Sequence, residues 1–189
     1  MHSRNNHRSN HPPNQRRLHE NDAISDRTAL TLGIAFAHSA SAQTVSKADT
    51  DRLNAIAQAN IAEVEAGKIA LEKSTNAEVK QFAQAMIDDH SKGLEETKKV
   101  AAAKKLTLPT EPDAEHKKMA EKLKTLSGAA FDKEYVSKAG VADHAKVHAA
   151  LKQDIAKAQD ADVKALATKL EPTVAHHGEM AKKLNAAIK

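Results

Sequence analysis

The sequence predicts an all-helical fold, a bundle of four long helices, and three observations lead to that prediction. Ala, Lys, Glu and Leu dominate the 189 residues, aromatic residues make up only 2%, and Gly and Pro are scarce. This composition favours helices over sheets. Apolar residues also recur at steps of three and four in four long segments, as on one face of a helix. The connections between these segments are short, long and short in turn.

The first predicted helix covers about residues 48–73. Ser46 or Asp49 can cap its amino terminus, because either side chain can accept a hydrogen bond from a backbone N–H of the first turn. The apolar stripe of this helix contains Leu53, Ile56, Asn60, Glu63 or Val64, Gly67, Ala70 and Leu71.

The second predicted helix follows a tight connection in which Thr75 or Asn76 can act as the cap. It extends to about residue 105. Pro109 and Pro112 prevent it from continuing, since proline lacks the N–H that an inner turn requires. Its apolar stripe contains Val79, Phe82, Ala83, Met86, His90, Gly93, Leu94, Thr97 and Ala101.

The third and fourth predicted helices cover about residues 130–158 and 161–188, with Asp160 as a cap between them. Pro172 lies inside the fourth helix and should kink it or free a carbonyl group there. The stripe of the third helix contains Phe131, Tyr135, Val141, His144, His148, Leu151 and Ile155. The stripe of the fourth contains Val163, Leu166, Ala167, Leu170, Val174, His177, Met180, Ala181, Leu184 and Ile188.

The long connection between the second and third helices decides the topology. It has about 25 residues and carries a short predicted helix at about 113–126, so it is long enough to travel back along the bundle. That connectivity is the one of ferritin-like bundles with a single crossover. A plain up-and-down bundle with a decorated loop is the alternative.

The amino-terminal segment has the pattern of an export signal. Residues 1–27 are polar and rich in His, Asn and Arg, and the apolar run 29–37 is followed by Ala40-Ser41-Ala42. This predicts a leader and signal peptide over 1–42, cleaved after Ala42, and a mature bundle domain over 43–189. The mature protein would then be periplasmic or associated with the outer membrane. A disordered tail followed by an apolar linker is the alternative.

Several classes of function find no support in the sequence. The chain has no Cys, which excludes a thiol nucleophile and a thiolate metal site. There is no Gly-rich phosphate loop and no nucleophile elbow. The net charge of +4 comes from interspersed charges without a basic block, which argues against nucleic-acid binding. No run is long enough for a membrane span, and the scarcity of aromatic residues argues against interfacial membrane binding.

A polar residue interrupts each apolar stripe, and the four are predicted to lie at one height. They are Glu63, His90, His144 and His177 in the first to fourth helices. Counting residues from the helix connections at about 1.5 Å per residue places all four within about one turn of each other, if the second and third helices are parallel. The four side chains could therefore converge in one layer of the bundle.

One carboxylate and three neutral imidazoles form a plausible site for one transition-metal ion such as Zn, Fe, Mn or Cu. His148, one turn after His144, could contribute as a further ligand, as could Asp89. Asp89 or Asp143 could instead orient an imidazole from behind. The alternative is a purely structural network of Glu63 and the histidines in a non-catalytic envelope or stress protein. His116 and His176 are predicted to be surface residues.

The segments 59–90, 126–136, 143–148 and 170–177 together resemble a family of exported bacterial proteins. That family is catalogued as a domain of unknown function, belongs to the ferritin-like group and is often labelled as outer membrane proteins. The positions that carry the resemblance are Glu63, Gly67, Asp89, His90, Phe131, Asp132, Tyr135, His144, Pro172 and His177.

The resemblance covers about residues 48–188 and implies a ferritin-like bundle and export, but no activity. The di-iron members of the ferritin-like group use Glu-x-x-His motifs. Residues 43–189 contain no such motif, since Ile87, Val141 and Val174 stand three residues before the stripe histidines. The sequence therefore predicts a helical bundle without established catalysis.

Overall fold

The computed structural model of the chain describes residues 44–188. The predicted leader, the signal peptide and its cleavage point lie outside the described residues. Within 44–188 every regular element is a helix, which confirms the prediction of an all-helical bundle. No helix in this part of the chain is long and apolar enough to cross a membrane.

The first two helices, α1 (Lys47–Lys73) and α2 (Ala77–Ala103), pack against each other as a hairpin. Of the two predicted caps for α1, Ser46 is the one used, and its hydroxyl accepts a hydrogen bond from the Asp49 N–H. Asn76 caps α2 by accepting from two backbone N–H groups of the first turn. Both helices therefore begin where their capping side chains satisfy otherwise unpaired donors.

A connection that carries the short helix α3 (Ala114–Lys124) leads from the end of α2 to the third long helix. Asp113 caps α3 through the N–H groups of Glu115 and His116. α3 packs against α1, so the connection lies along the side of the first hairpin.

The third long helix consists of three consecutive segments. It begins as α4 (Gly128–Glu134), continues as a π-helical segment over Tyr135–Asp143, and returns to α-helical geometry as α5 (His144–Lys157). The sequence predicted an uninterrupted α-helix here. π-helical turns occur mostly as short interruptions of α-helices and often at functional sites.

The last helix, α6 (Ala161–Ala187), is capped by Asp160 as predicted and packs against the π segment, α5 and α2. Pro172 lies inside it, and the helix is assigned as α-helical on both sides of the proline.

Two apolar cores lie at opposite ends of the bundle. The first core contains Ala66, Ile69, Ala70, Val79, Phe82, Ala83, Met86, Ala120, Leu123, Phe131, Tyr135, Val136, Ala139, Ala181 and Leu184. The second contains Leu53, Ile56, Leu151, Ala158, Val163, Leu166, Ala167 and Val174. The first core joins the start of α2 to α4, so α2 and the third long helix begin at the same end of the bundle.

On each long helix a buried polar residue separates the residues of one core from those of the other. On α1 these polar residues are Asn60 and Glu63, and on α2 the residue is His90. His144 and His177 occupy the same place at the start of α5 and on α6. The bundle therefore contains a polar layer between two apolar cores.

Candidate functional site

Three histidine rings meet in the polar layer. His90, His144 and His177 are all buried, and the ring centroids of each pair lie 5.3 to 5.5 Å apart. One nitrogen from each ring lies within 4.8 Å of the other two. The structure thus brings together three of the four residues that the sequence placed at one height.

The tautomer of His90 is fixed by Asn60. The Asn60 Nδ2 atom donates to the Ile56 carbonyl oxygen at 2.8 Å, so its Oδ1 atom is the one that faces the ring. Oδ1 lies 3.0 Å from His90 Nδ1 and can only accept, so Nδ1 carries the hydrogen. The other ring nitrogen, Nε2, is then an unprotonated lone pair.

The tautomer of His144 is fixed by the backbone. Its Nδ1 atom lies 2.9 Å from the carbonyl oxygen of Ala139, and a carbonyl oxygen only accepts hydrogen bonds. Ala139 belongs to the π segment that ends one residue before His144. The local change in helical geometry therefore supplies the acceptor that orients the ring, and Nε2 of His144 is again a lone pair.

The two Nε2 atoms of His90 and His144 lie 3.4 Å apart. Because both carry lone pairs, they cannot form a hydrogen bond with each other. Two imidazole ligands at about 2.0–2.1 Å from a metal ion, with a tetrahedral angle between them, would be about 3.3–3.4 Å apart. The observed separation therefore matches the spacing of two ligands of one ion.

His177 completes the cluster in the opposite orientation. Its Nε2 atom lies 3.1 Å from Asp89 Oδ2, and this carboxylate accepts the hydrogen bond. The Nδ1 atom is buried and has no hydrogen-bond partner among the described residues. Asp89 therefore contacts the His177 ring at the nitrogen that donates, and Nδ1 remains as the lone-pair nitrogen.

The three rings are held in their neutral form. Burial lowers the pKa of His90 well below its usual range, and the neighbouring imidazoles lower it further. Burial also lowers the pKa of His144 and that of His177, although Asp89 partly opposes the shift at His177. Burial tends to raise the pKa of Asp89, but its bonds to Lys92 and His177 lower it more, so it is ionised. Neutral imidazole is the form that binds metal ions.

Glu63 lies beside the cluster rather than in it. Its carboxylate is 3.6 Å from His144 Nδ1, the nitrogen on the side of the ring that faces Ala139. Both oxygens are buried, and neither has a hydrogen-bond partner within residues 44–188. Burial and the nearby Asp143 raise the pKa of Glu63 well above its usual range.

His148 also lies apart from the three rings. Its Nε2 atom is 2.6 Å from Glu171 Oε1 in a half-exposed pair on α5 and α6.

The prediction that His116 lies at the surface was wrong, whereas the prediction for His176 is confirmed. His116 is buried between two carboxylates, with Nδ1 2.8 Å from Asp113 and Nε2 3.1 Å from Asp143. The bond to Asp143 is the main reason that the pKa of His116 rises to about 9. Asp143 therefore pairs with His116 instead of orienting a histidine of the cluster.

Sequence reasoning also missed the role of Asn60. It was placed on the apolar stripe of the first helix, but its link to His90 depends on two helices meeting at Gly93. A Cβ atom at residue 93 would lie 2.5 Å from Asn60 Oδ1, so only glycine leaves room for this contact. The signal in the sequence was an amide on one stripe and a glycine on the facing stripe.

Comparison with family models gives a match over residues 35–184 to a family described as a domain of unknown function (DUF4142). The chain belongs to this family. The match confirms the part of the resemblance that concerns a domain-of-unknown-function family. A comparison with curated proteins and one with solved structures gave no match.

Proposed function

We propose that this DUF4142 protein binds one divalent transition-metal ion through His90 Nε2, His144 Nε2 and His177 Nδ1. One observation carries the proposal: three buried imidazole lone pairs converge, and the N–H group on the far side of each ring is held by its own acceptor. Metal-ligating histidines almost always donate their other N–H to such an acceptor. A structural network would instead pair the ring nitrogens with one another.

The donor set indicates the class of metal. Three neutral nitrogen ligands without thiolate suit Zn²⁺, Fe²⁺ or Cu²⁺ better than Mg²⁺ or Ca²⁺. Three protein ligands leave a coordination position open, which is typical of zinc sites that do chemistry rather than of structural ones. An ion held there would supply a Lewis acid in a water-poor environment. Asp89, Asn60 and the Ala139 carbonyl would hold the three rings in their ligating orientation.

We extend the proposal to architecture and location: the chain is an exported, ferritin-like four-helix bundle. The long connection through α3 and the common starting end of α2 and α4 support the ferritin-like topology. The apolar run and Ala40-Ser41-Ala42 support export. The site itself differs from the carboxylate-rich di-iron sites of ferritin-like proteins, because its three grouped residues are all histidines.

The test is the metal content of the untagged full chain, measured by elemental mass spectrometry after Fe, Mn, Zn and Cu have been offered in turn. We expect about one equivalent of one metal per chain, from the single three-nitrogen cluster in the described residues. A His90→Ala/His177→Ala variant should lose it. A His148→Ala/His176→Ala variant removes two histidines outside the cluster and should keep it.

Absence of stoichiometric metal under all four conditions would overturn the proposal. The three histidines would then form a structural polar layer, and the chain would be a non-catalytic envelope or stress protein. Equal metal content in the two double variants would show that metal binds elsewhere. Thermal unfolding of each variant would identify a loss of metal that results only from misfolding.

A further inference from the structure

A small cavity of about 30 Å³ adjoins two of the three cluster histidines, His90 and His177, on the side of the second apolar core. Its polar wall is formed by Asn60, Asp89, His90, Thr173 and His177. The remaining wall is largely aliphatic and includes Ile56, Ala59, Val147, Leu151, Leu170 and Val174. The cavity therefore connects the histidine cluster to a hydrocarbon surface.

The size of the cavity limits its occupant. A space of about 10–15 Å³ on this measure holds one water-sized sphere, so this cavity holds about two. That corresponds to a molecule of two heavy atoms. Substrates with a carbon skeleton of several atoms would not fit without displacement of the aliphatic side chains.

The polarity of the walls limits the occupant further. The Asn60 amide already donates to Ile56 and faces His90, and the Asp89 carboxylate binds His177 and Lys92. A water molecule needs two to four polar partners to be held in a buried space. The surface that lines this cavity is mostly apolar, although His177 Nδ1 has no hydrogen-bond partner among the described residues. The Asp89 carboxylate on the wall, which accepts hydrogen bonds from His177 and Lys92, also disfavours an anion. A small uncharged molecule of low polarity meets neither difficulty.

We propose that this cavity is a binding pocket for a small uncharged diatomic molecule of the class of O₂, NO and CO. The pocket would deliver such a molecule to the open side of the three-histidine site, and this second statement rests on the metal-binding function proposed above. The pocket itself is a property of the chain and does not depend on a bound ion.

The experiment uses dissolved O₂ under pressure as the probe, with the metal-free full chain, and measures the paramagnetic relaxation of methyl protons by NMR. Leu151 and Val174 line the pocket, whereas Leu53 and Leu123 are buried at least as deeply elsewhere in the bundle. We expect the pocket methyl groups to relax several-fold faster than the two buried reference leucines. Equal relaxation at all four would overturn the proposal.

A matched pair of variants localises the effect. Ala59→Val adds two carbon atoms to the pocket wall and should remove the excess relaxation. Ala165→Val makes the same change at an exposed position of α6 and should leave the excess relaxation intact. If Ala59→Val failed to fold, the contrast among methyl groups of the unaltered chain would still decide the question. A saturable shift of the same methyl signals by azide, a linear anion, would contradict the preference for an uncharged ligand.

These experiments distinguish a failure of the pocket proposal from a failure of the metal-binding proposal. A chain that shows localised O₂ relaxation but takes up no metal has the pocket without the metal site. A chain that takes up Zn²⁺, which is diamagnetic, and shows uniform relaxation with and without it has the metal site without the pocket.

Discussion

His116 and the histidines of the cluster are almost equally shielded from solvent, but their rings have opposite charge states. His116 is 6% exposed, and His90, a member of the cluster, is 5% exposed. The pKa of His116 nevertheless rises to about 9, mainly through its bond to Asp143, while burial lowers that of His90. The first ring is an imidazolium and the second a neutral imidazole.

The difference teaches that low exposure alone does not decide the charge of a buried histidine, because the partners of its two ring nitrogens can outweigh the cost of burial. Both nitrogens of His116 donate to carboxylates, so the ring brings its own positive charge and has no lone pair to offer. In the cluster only one nitrogen of each ring donates, and its lone-pair nitrogen faces the other rings. His116 is therefore part of an internal ion pair, whereas the cluster is the site proposed above for a metal ion.

The largest predicted effect concerns the stability that the His116–Asp143 ion pair gives to the fold. His116→Ala removes the cation and leaves the buried Asp143 carboxylate without its partner, so the free energy of unfolding should fall by about 3 kcal/mol. Urea unfolding measures the change. His176→Ala, at an exposed position, should alter stability by no more than about 0.5 kcal/mol. A similar loss in both variants would mean that the ion pair does not stabilise the fold.

The second prediction concerns the proposed metal binding and the hydrogen bond that orients His90. Asn60→Ala removes the acceptor behind His90 and should weaken metal binding by about 10–100-fold. Asn60→Asp keeps an acceptor oxygen at this place and should recover most of the affinity. Competition with a chelator measures both, and the ¹⁵N shifts of His90 report whether Nδ1 still carries the hydrogen. Equal losses in the two variants would contradict the role given to the hydrogen bond.

The sequence was sufficient for the helices because their ends have local causes. Asn76, Asp113 and Asp160 act as caps where their side chains can reach the first turn, and these caps are readable from the sequence alone. The π segment has no comparable local cause. It coincides with a close approach to α6, since a Cβ atom at Gly140 would lie 2.9 Å from Ala181 Cβ.

The level of the site along the bundle axis could be predicted from the sequence, but the direction in which each side chain points could not. The rise per residue is nearly constant along a helix, so Glu63, His90, His144 and His177 could be placed at one level from residue counts. The side of each ring that faces the centre depends on helix rotation and on hydrogen bonds between helices. Glu63 shares the level but lies behind His144, and no count of residues could reveal that.

The third prediction uses pH to separate His116 from other groups. Its pKa is raised in the fold, so the stabilisation is fully present below pH 6.5 and is lost as the pH rises toward about 9. The free energy of unfolding should therefore fall by up to about 1.4 kcal/mol per pH unit in that window. In His116→Gln this slope should disappear, because a neutral side chain carries no proton to lose. Urea unfolding of both chains from pH 6 to 10 measures the difference, and parallel curves would contradict the assignment.

The smallest effect is predicted for two glycines inside helices. Gly178 lies beside His144, and Gly93 lies beside Asn60. Gly178→Ala places a Cβ at 3.6 Å from His144 Cβ, an ordinary contact, so it should stabilise the fold by up to about 1 kcal/mol through helix propensity. Gly93→Ala brings the same propensity gain, but its Cβ would lie 2.5 Å from Asn60 Oδ1 and must displace that amide.

The two variants should therefore differ in function more than in stability. Gly93→Ala should weaken metal binding by about tenfold, since His90 loses the acceptor that orients it, while Gly178→Ala should leave the affinity unchanged. Chelator competition and thermal unfolding on the two chains separate the effects. Unchanged affinity in Gly93→Ala would contradict the role given to Asn60, because the added Cβ would lie 2.5 Å from Asn60 Oδ1, whereas the next side chain, Leu170, is 3.4 Å away.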